Sequence, residues 1–477
     1  MSLSLFNRRI CNTYPGVIKT CDNAALTTTP KPMTDGVGNI VPMDIGTSTI
    51  CYGGTQDFTG ATVIGISGAT AGLIPGVGTN SMISNSNLGV LSTADGNCSI
   101  AIGNGAYNCC DNSINIGRGS TGLEVGVIGI GFGTSNTGRQ SIGLGNSAAS
   151  TGTCAIAIGE GAQAGGQDGI GVGRTSNARC SNTISIGALS DVLASNGVAI
   201  GGSTCISPDA TFSTVYGAAA ASCSANGISI GRSAAIGTCA VNAIVIGCSA
   251  FVTTTSTCPA GACGSIAIGE GARVCGAGDA IGVTRSIAIG FEACATASRG
   301  IAIGYFAKSN STDGIAIGLQ STVCGYAGLA MAGGDACGGN SIVIGGSAKT
   351  DTNSCFTVAI GHRAGGIGSA GNSCNSVIIG RCAGVNSLSQ CHIAIGLCAG
   401  PNLLATNGVS IGTFAAAHAD KALAFGYNVV GSRPNVLTTC EYEACVAGCG
   451  IIVKTPDGLN SYRIAVDNSG NLTTALA

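Results

Sequence analysis

Tryptophan is absent from this 477-residue chain, and aromatic residues make up only 4% of it. Charge is scarce as well. Asp, Glu, Lys and Arg together are 9%, where about a quarter is usual. The 20 basic and 22 acidic residues leave a formal net charge of −2, which removes the electrostatic case for a nucleic-acid partner. No apolar run reaches the length of about 18 residues that a membrane-spanning helix needs, so no membrane insertion is expected. Only 10 prolines, and glycines without a G-X-Y period, exclude collagen. Low charge combined with 45% hydrophobic residues is not the signature of disorder. The N-terminus, MSLSLFNRRIC, has neither the apolar stretch nor the cleavage site of a signal peptide, so synthesis in the cytosol without a standard export route is expected.

Small residues are abundant instead. Glycine numbers 80, and the rest is rich in alanine, serine and β-branched apolars, as expected where backbones stack closely. Cysteine numbers 26. Cys98, Cys154, Cys223, Cys355, Cys374 and Cys391 fall in turn or small-residue slots and form no paired CxxC clusters. They read as small buried residues standing in for Ser or Ala, with disulfides formed after release from the cell as the alternative.

The tetrapeptide Ile-x-Ile-Gly recurs along the chain. Its closing glycines at 103, 117, 131, 145, 159, 173, 187 and 201 are each 14 residues apart. The series continues at 217, 231, 247, 269, 290, 304, 318, 345, 361, 380, 396, 412 and 426, with insertions that map to loops on one face. One and three residues before the glycine sit Ile, Val or Leu, as in Ile100/Ile102 before Gly103, Ile156/Ile158 before Gly159, Ile266/Ile268 before Gly269 and Ile393/Ile395 before Gly396. Period-two alternation puts both on one face of a strand, which is expected to be the core. The residue between them is small and uncharged, as at Ala101, Asn115, Ala157, Ser185, Ala267, Ala394 and Ser410, and is expected to pack against a neighbouring subunit. A small residue also stands three after the glycine (Ala106, Ala148, Ala162, Ala272), where successive coils would approach closely. Charges collect one after it, at Arg118, Glu160, Arg174, Arg232, Glu270 and Arg381, marking an exposed ridge. The glycine itself would make a corner of positive φ.

Two alanine-rich stretches, 216–225 and 413–425, tempt a helix assignment, but each is one repeat long and reads as a coil of the same solenoid. A 14-residue coil allows two strands of about five residues and two turns. About 22 coils stacked at roughly 4.8 Å give a rod of about 100 Å, each coil bonded only to its neighbours.

The segments CSIAIGNGA (98–106), CAIAIGEGA (154–162), GSIAIGEGA (264–272) and DGIAIGLQS (313–321) resemble the head repeat of YadA-like trimeric adhesins over about 70% of the chain. The resemblance implies a left-handed parallel β-roll and a homotrimer. No long signal peptide, coiled-coil stalk or membrane anchor of that family is read in these residues, so none is expected. The ends instead resemble tailed-phage fibre proteins. Residues 31–42 (KPMTDGVGNIVP) are similar to an adaptor stretch before a fibre shaft, and residues 455–472 (TPDGLNSYRIAVDNSGNL) to a C-terminal β-hairpin module.

Nothing in the sequence assembles a catalytic constellation. His362, His392 and His418 lie in different coils and slots, which argues against a metal site. Cys440, Cys445 and Cys449 form a C-x4-C-x3-C cluster that could be disulfides, free thiols or a zinc site lacking an obvious fourth ligand. Gly-x-Gly triplets such as 103–105 and 159–161 lack the strand–helix context of a dinucleotide loop, and no Walker lysine follows them. The calcium-binding GGxGxDx array is absent, and a period of 14 excludes the hexapeptide register of left-handed acyltransferases. An ice- or polysaccharide-binding solenoid would need a flat Thr or aromatic ladder that the slots do not offer.

The expected fold is therefore an all-β parallel β-solenoid of 14-residue coils in a homotrimer. Residues 1–60 would be a virion-anchoring segment, 61–97 a transition, 98–439 the roll and 440–477 a small C-terminal β module. Four prolines, Pro15, Pro30, Pro32 and Pro42, favour an extended anchor over a regular ladder. The expected function is a non-enzymatic tail or head fibre of a bacteriophage virion that contributes to host attachment, with a bacterial trimeric surface adhesin as the alternative and a polysaccharide- or ice-binding β-solenoid as the second alternative. Partners would be two further copies, other virion proteins through the N-terminal segment, and a host receptor the sequence does not identify. No cofactor is expected.

Overall fold

Each coil pairs a three-residue strand, such as Ile156–Ile158, with a two-residue strand, such as Gln163–Ala164. These are shorter than the five residues expected, because two tight turns consume the rest of the repeat. In the turns around these strands Cys154, Gly159 and Gly161 have φ of 57°, 130° and 62°. The computed structural model describes residues 19–20, 25, 29–34, 40–45, 50–52, 73–84, 92–253, 263–275, 285–365, 374–385, 390–400, 406–439, 451–456, 459–466 and 469–476. Among them there is no helix; the alanine-rich stretches hold the strands Ala221–Ser222, Ala416–Ala417 and Leu423–Phe425.

Like strands stack in parallel and in register from coil to coil: Ile156 pairs with Ile170, Ala157 with Gly171 and Ile158 with Val172. The three-residue strands form one continuous ladder from Ile100–Ile102 to Leu437–Thr439. The two-residue strands form a second ladder from Thr93–Ala94 to Lys349–Thr350. The result is an all-β parallel β-solenoid of about 23 turns. At its first coil the ladder is closed off by Leu73–Pro75, which pairs antiparallel with Met82–Ser84. A proline in an outermost strand costs no ladder hydrogen bond.

The core reverses the expected phase. Ala101, Ala157, Ala267 and Ala394, the residues between the paired apolar ones, are completely buried inside the coil. Ile100, Ile102, Ile156, Ile266, Ile268 and Ile395 are only half-buried, and Ile158 and Ile393 are exposed. The middle slot is therefore not a subunit contact, and the isoleucines do not fill the interior. The reason is space. Two ladders joined by tight turns lie so close that most inward positions admit only Ala, Ser, Asn, Thr or Val.

Polar residues enter this interior because backbone carbonyls accept their hydrogen bonds. Ser229 Oγ donates to the Ala234 carbonyl at 2.9 Å, and Ser309 Oγ to that of Gly314 at 2.9 Å. Where a larger apolar residue does point inward, glycine makes room. Ile206 and Ile236, both fully buried, sit against Gly197 and Gly227.

The corner glycines behave as expected, for two reasons. Gly159 has a φ of 130°, and a Cβ on it would lie 2.5 Å from the carbonyl oxygen of Gly173 in the next coil. One coil escapes the glycine series. Leu329–Met331 is followed by Ala332, which takes the corner at φ 55° and bonds through its amide to the Ile317 carbonyl at 2.9 Å. It fills the gap between Gly318 and Gly345. The long insertions after Thr253, Cys275 and Gly365 all fall between a second strand and the next three-residue strand, so they share one corner of the coil.

The chain divides into two units, Met1–Thr70 and Ala71–Ala477. The first contains a four-stranded antiparallel sheet built from Lys19–Thr20, Lys31–Thr34, Ile40–Ile45 and Ile50–Tyr52. Pro32 and Pro42 lie within its strands, and the pairing slips at Pro32/Met33, which accommodates one of them. The C-terminal strands Ile451–Lys454, Ser461–Val466 and Leu472–Leu476 form an antiparallel three-stranded sheet.

Candidate functional site

The two ladders differ in charge on their outer faces. Outward positions of the three-residue ladder carry Ile, Val, Leu or Met almost throughout, as in the stacked series Ile100, Ile114, Ile128, Ile142, Ile156 and Ile170. Thr214, Tyr216, Phe425 and Thr439 are the exceptions, and no charged residue occupies any of these positions from Ile100 to Thr439. Ile130 and Ile342 are 43% and 38% exposed. The outer face of the two-residue ladder is mixed: Gln163, Asp191, Arg273, Lys308, Asp335 and Lys349 share it with Tyr107, Ala149, Ala221, Ala235 and Phe251. Lys349 Nζ lies 3.1 Å from Asp335 of the preceding coil.

A soluble protomer can leave an isolated isoleucine in water at little cost, but an uncharged and almost wholly apolar strip along some 20 coils marks an interaction surface. Stacking of isoleucine on isoleucine removes part of each side chain from water. Only a second surface laid on the strip can remove the rest. The charged ridge lies where the sequence places it: Arg118, Glu160, Arg174, Arg232, Glu270 and Arg381 are all exposed.

No group of three or more His, Cys, Asp or Glu residues with metal-holding geometry occurs among the described residues. His392 is fully buried, its Nδ1 3.0 Å from Ser376 Oγ, in the inward slot where other coils carry Ser. Cys440, Cys445 and Cys449 lie outside the described residues. An open groove of about 630 Å³ runs beside Phe251, Arg273, Glu270, Phe291 and Glu292. Its Arg273 guanidinium sits 5.6 Å from the centre of the Phe251 ring.

The cysteines depart from expectation. Eighteen described cysteines are free thiols, all exposed or half-buried, and Cys239 is disulfide-bonded. They do not replace buried Ser or Ala. Inward slots keep Ser because its hydroxyl bonds a carbonyl, whereas Cys98, Cys154, Cys382, Cys391 and Cys398 occupy turn positions of positive φ.

Against known families, the YadA head domain repeat matches in two copies over residues 88–106, 295–321 and 405–428. The chain carries YadA head repeats. No curated protein matches it. The matched segment 295–321 contains two full three-residue strands, Ile301–Ile303 and Ile315–Ile317, paired in register with Ala302 and Ala316 buried between them. The YadA head repeat thus coincides with the coil whose isoleucines point outward. YadA-like heads are typically trimeric, and the repeat points to an adhesin-like surface fibre.

Proposed function

We propose that the protein is a non-enzymatic structural fibre in which three copies bring their isoleucine strips together along a common axis. The observation that carries this reading is the absence of charge from every outward position of the three-residue ladder from Ile100 to Thr439, next to a second ladder whose outer face does carry charged residues. Burying about 25 cal/mol for each Å² of that strip, repeated over every coil, would hold three slender rolls together that have little apolar core of their own. Sedimentation of the full chain should give a trimer. Replacing Ile158, Ile186 and Ile228 together by Glu should give folded monomers; a trimer that persists would reject the strip as the interface.

The finer reading is a tail or head fibre of a bacteriophage virion, with the N-terminal unit joining other virion proteins and the roll contributing to attachment at the host surface. The resemblance of residues 31–42 and 455–472 to phage fibre segments supports it. A bacterial surface adhesin accounts for the roll equally well. Electron cryo-microscopy of particles and of cell envelopes from the source decides between them. The virion reading requires rods on the particle, which vanish when residues 1–60 are deleted.

A further inference from the structure

The two-residue ladder brings cysteines from neighbouring coils together. Thr322 pairs with Asp335 and Val323 with Ala336 in parallel register. The ladder continues one residue further, where the Cys324 amide donates to the Ala336 carbonyl at 2.9 Å. That bond places Cys324 directly beside Cys337. Both follow an inward residue, Val323 or Ala336, so both side chains lie on the outer face. Cys324 is exposed and Cys337 half-buried, and their thiols hydrogen-bond to each other. In-register strands hold Cα atoms about 4.8 Å apart, inside the window of about 4.4–6.8 Å that a disulfide spans without moving the backbone. The pair Cys275 and Cys294 also hydrogen-bond, but Cys294 is in register with Arg273, two residues away along the strand.

We infer that Cys324 and Cys337 form an inter-coil disulfide when the protein meets a small disulfide oxidant, stapling two successive coils of the roll. The Cys324 sulfur attacks one sulfur of the oxidant, forming a mixed disulfide and releasing one small thiolate. Cys337 then loses its proton, and its sulfur displaces the second small thiolate. Two protein thiols are oxidised by two electrons, and one small disulfide is reduced to two thiols. The order of attack follows from exposure. Cys324 is open to the oxidant, whereas Cys337 is half-buried. The hydrogen bond from Cys337 favours the thiolate on Cys324. Cys337, donating to that thiolate, partly buried and facing the Asp335 and Asp351 carboxylates, is pushed up. The thiolate is the nucleophile in exchange, so Cys324 reacts first.

The link would tie coils that otherwise hold each other only by short ladders and small side chains. It would matter most to a fibre that leaves a reducing cytosol for oxidising surroundings. It does not depend on trimer formation, because both cysteines belong to one chain and lie on the two-residue ladder.

Trypsin gives a direct test. No Lys or Arg lies between Lys308 and Lys349, and residues 309–349 contain Cys324 and Cys337 and no other cysteine. The native full chain is treated with oxidised glutathione, quenched in acid, alkylated and digested. The expected peptide is unalkylated and two hydrogens lighter than the reduced form; after dithiothreitol it carries two alkyl groups. In Cys337→Ser, glutathione should remain on Cys324, whereas Cys324→Ser should leave Cys337 largely unmodified. A wild-type peptide that stays doubly alkylated, or that carries two separate glutathiones, overturns the link. Glutathione preferring Cys337 over Cys324 in the single variants overturns the assigned order of attack.

Discussion

Ala157 and Ile158 are neighbours in one strand and face opposite ways: Ala157 is fully buried inside the coil, while Ile158 is 36% exposed on its outer face. The larger side chain is outside because the space between the two ladders is too thin to take it. An apolar residue at that outer position therefore serves whatever covers the strip, and the small residue serves the protomer.

Substitution separates these roles. Ala157→Leu should lower protomer stability by about 1–3 kcal/mol or more, since extra carbon atoms have nowhere to go. Ile158→Ala should leave the secondary structure of the protomer intact and weaken self-association. Circular dichroism with denaturant titration, alongside sedimentation of each variant, reads both; an Ala157→Leu variant as stable as the wild type would contradict the assigned inward phase.

Gly159→Ala tests the corner. An L-residue at φ near 130° carries about 1–3 kcal/mol of strain. The added Cβ would also meet the Gly173 carbonyl oxygen at 2.5 Å and its carbon at 2.7 Å, both backbone atoms. A loss above about 2 kcal/mol is expected in equilibrium unfolding. By contrast Gly119→Ala, where a Cβ meets nothing within 4 Å and φ is 64°, should cost less.

Gly227 and Ile236 are a matched pair. A Cβ on Gly227 would lie 2.8 Å from Ile236 Cδ1. Ile236→Val should cost about 0.5–1.5 kcal/mol. Gly227→Ala should cost about 1–3 kcal/mol, with part of the clash falling on Ser222 Oγ at 2.6 Å. The double variant should be more stable than the sum of the two losses predicts, because the valine withdraws the atom the new methyl strikes. Strict additivity in a thermal-denaturation cycle would show that the two side chains do not compete for one space.

Cys324 should react with iodoacetamide at a rate that rises as pH passes through about 7, because Cys337 donates to its thiolate. Cys337, whose pKa is raised, should stay slow over that range. In Cys337→Ser the inflection of Cys324 should move upward if the serine hydroxyl is a poorer donor in that position. Rates followed by mass spectrometry of the 309–349 peptide settle the point; equal rates for the two thiols at pH 7 would refute it.

Much of the coil is legible along the chain. Glycines at 103, 117, 131 and 145 announce both the period and the corner, since a backbone that must turn at positive φ beside another backbone strongly favours a residue without a Cβ. Arg118 and Glu160 mark the exposed ridge for the same local reason. The coil at Ala332 was hidden because its corner residue kept the left-handed conformation without the glycine that usually signals it. The outward phase of Ile158 was hidden because alternation locates two faces without saying which is inside. A clue existed: Asn115, Ser185 and Ser410 share the slot of Ala157, and such residues suit a narrow interior lined by backbone carbonyls.

The sequence by itself determined the repeat, the parallel stacking and the corners, because these rest on local backbone conformation and on spacing along the chain. Only the tertiary structure decided which face of each strand is core, which is the free apolar strip, and which cysteines stand side by side. Those depend on the distance between the two ladders and on the register between coils. Cys324 and Cys337 are 13 residues apart in the chain, and only the pairing of Val323 with Ala336 makes them neighbours.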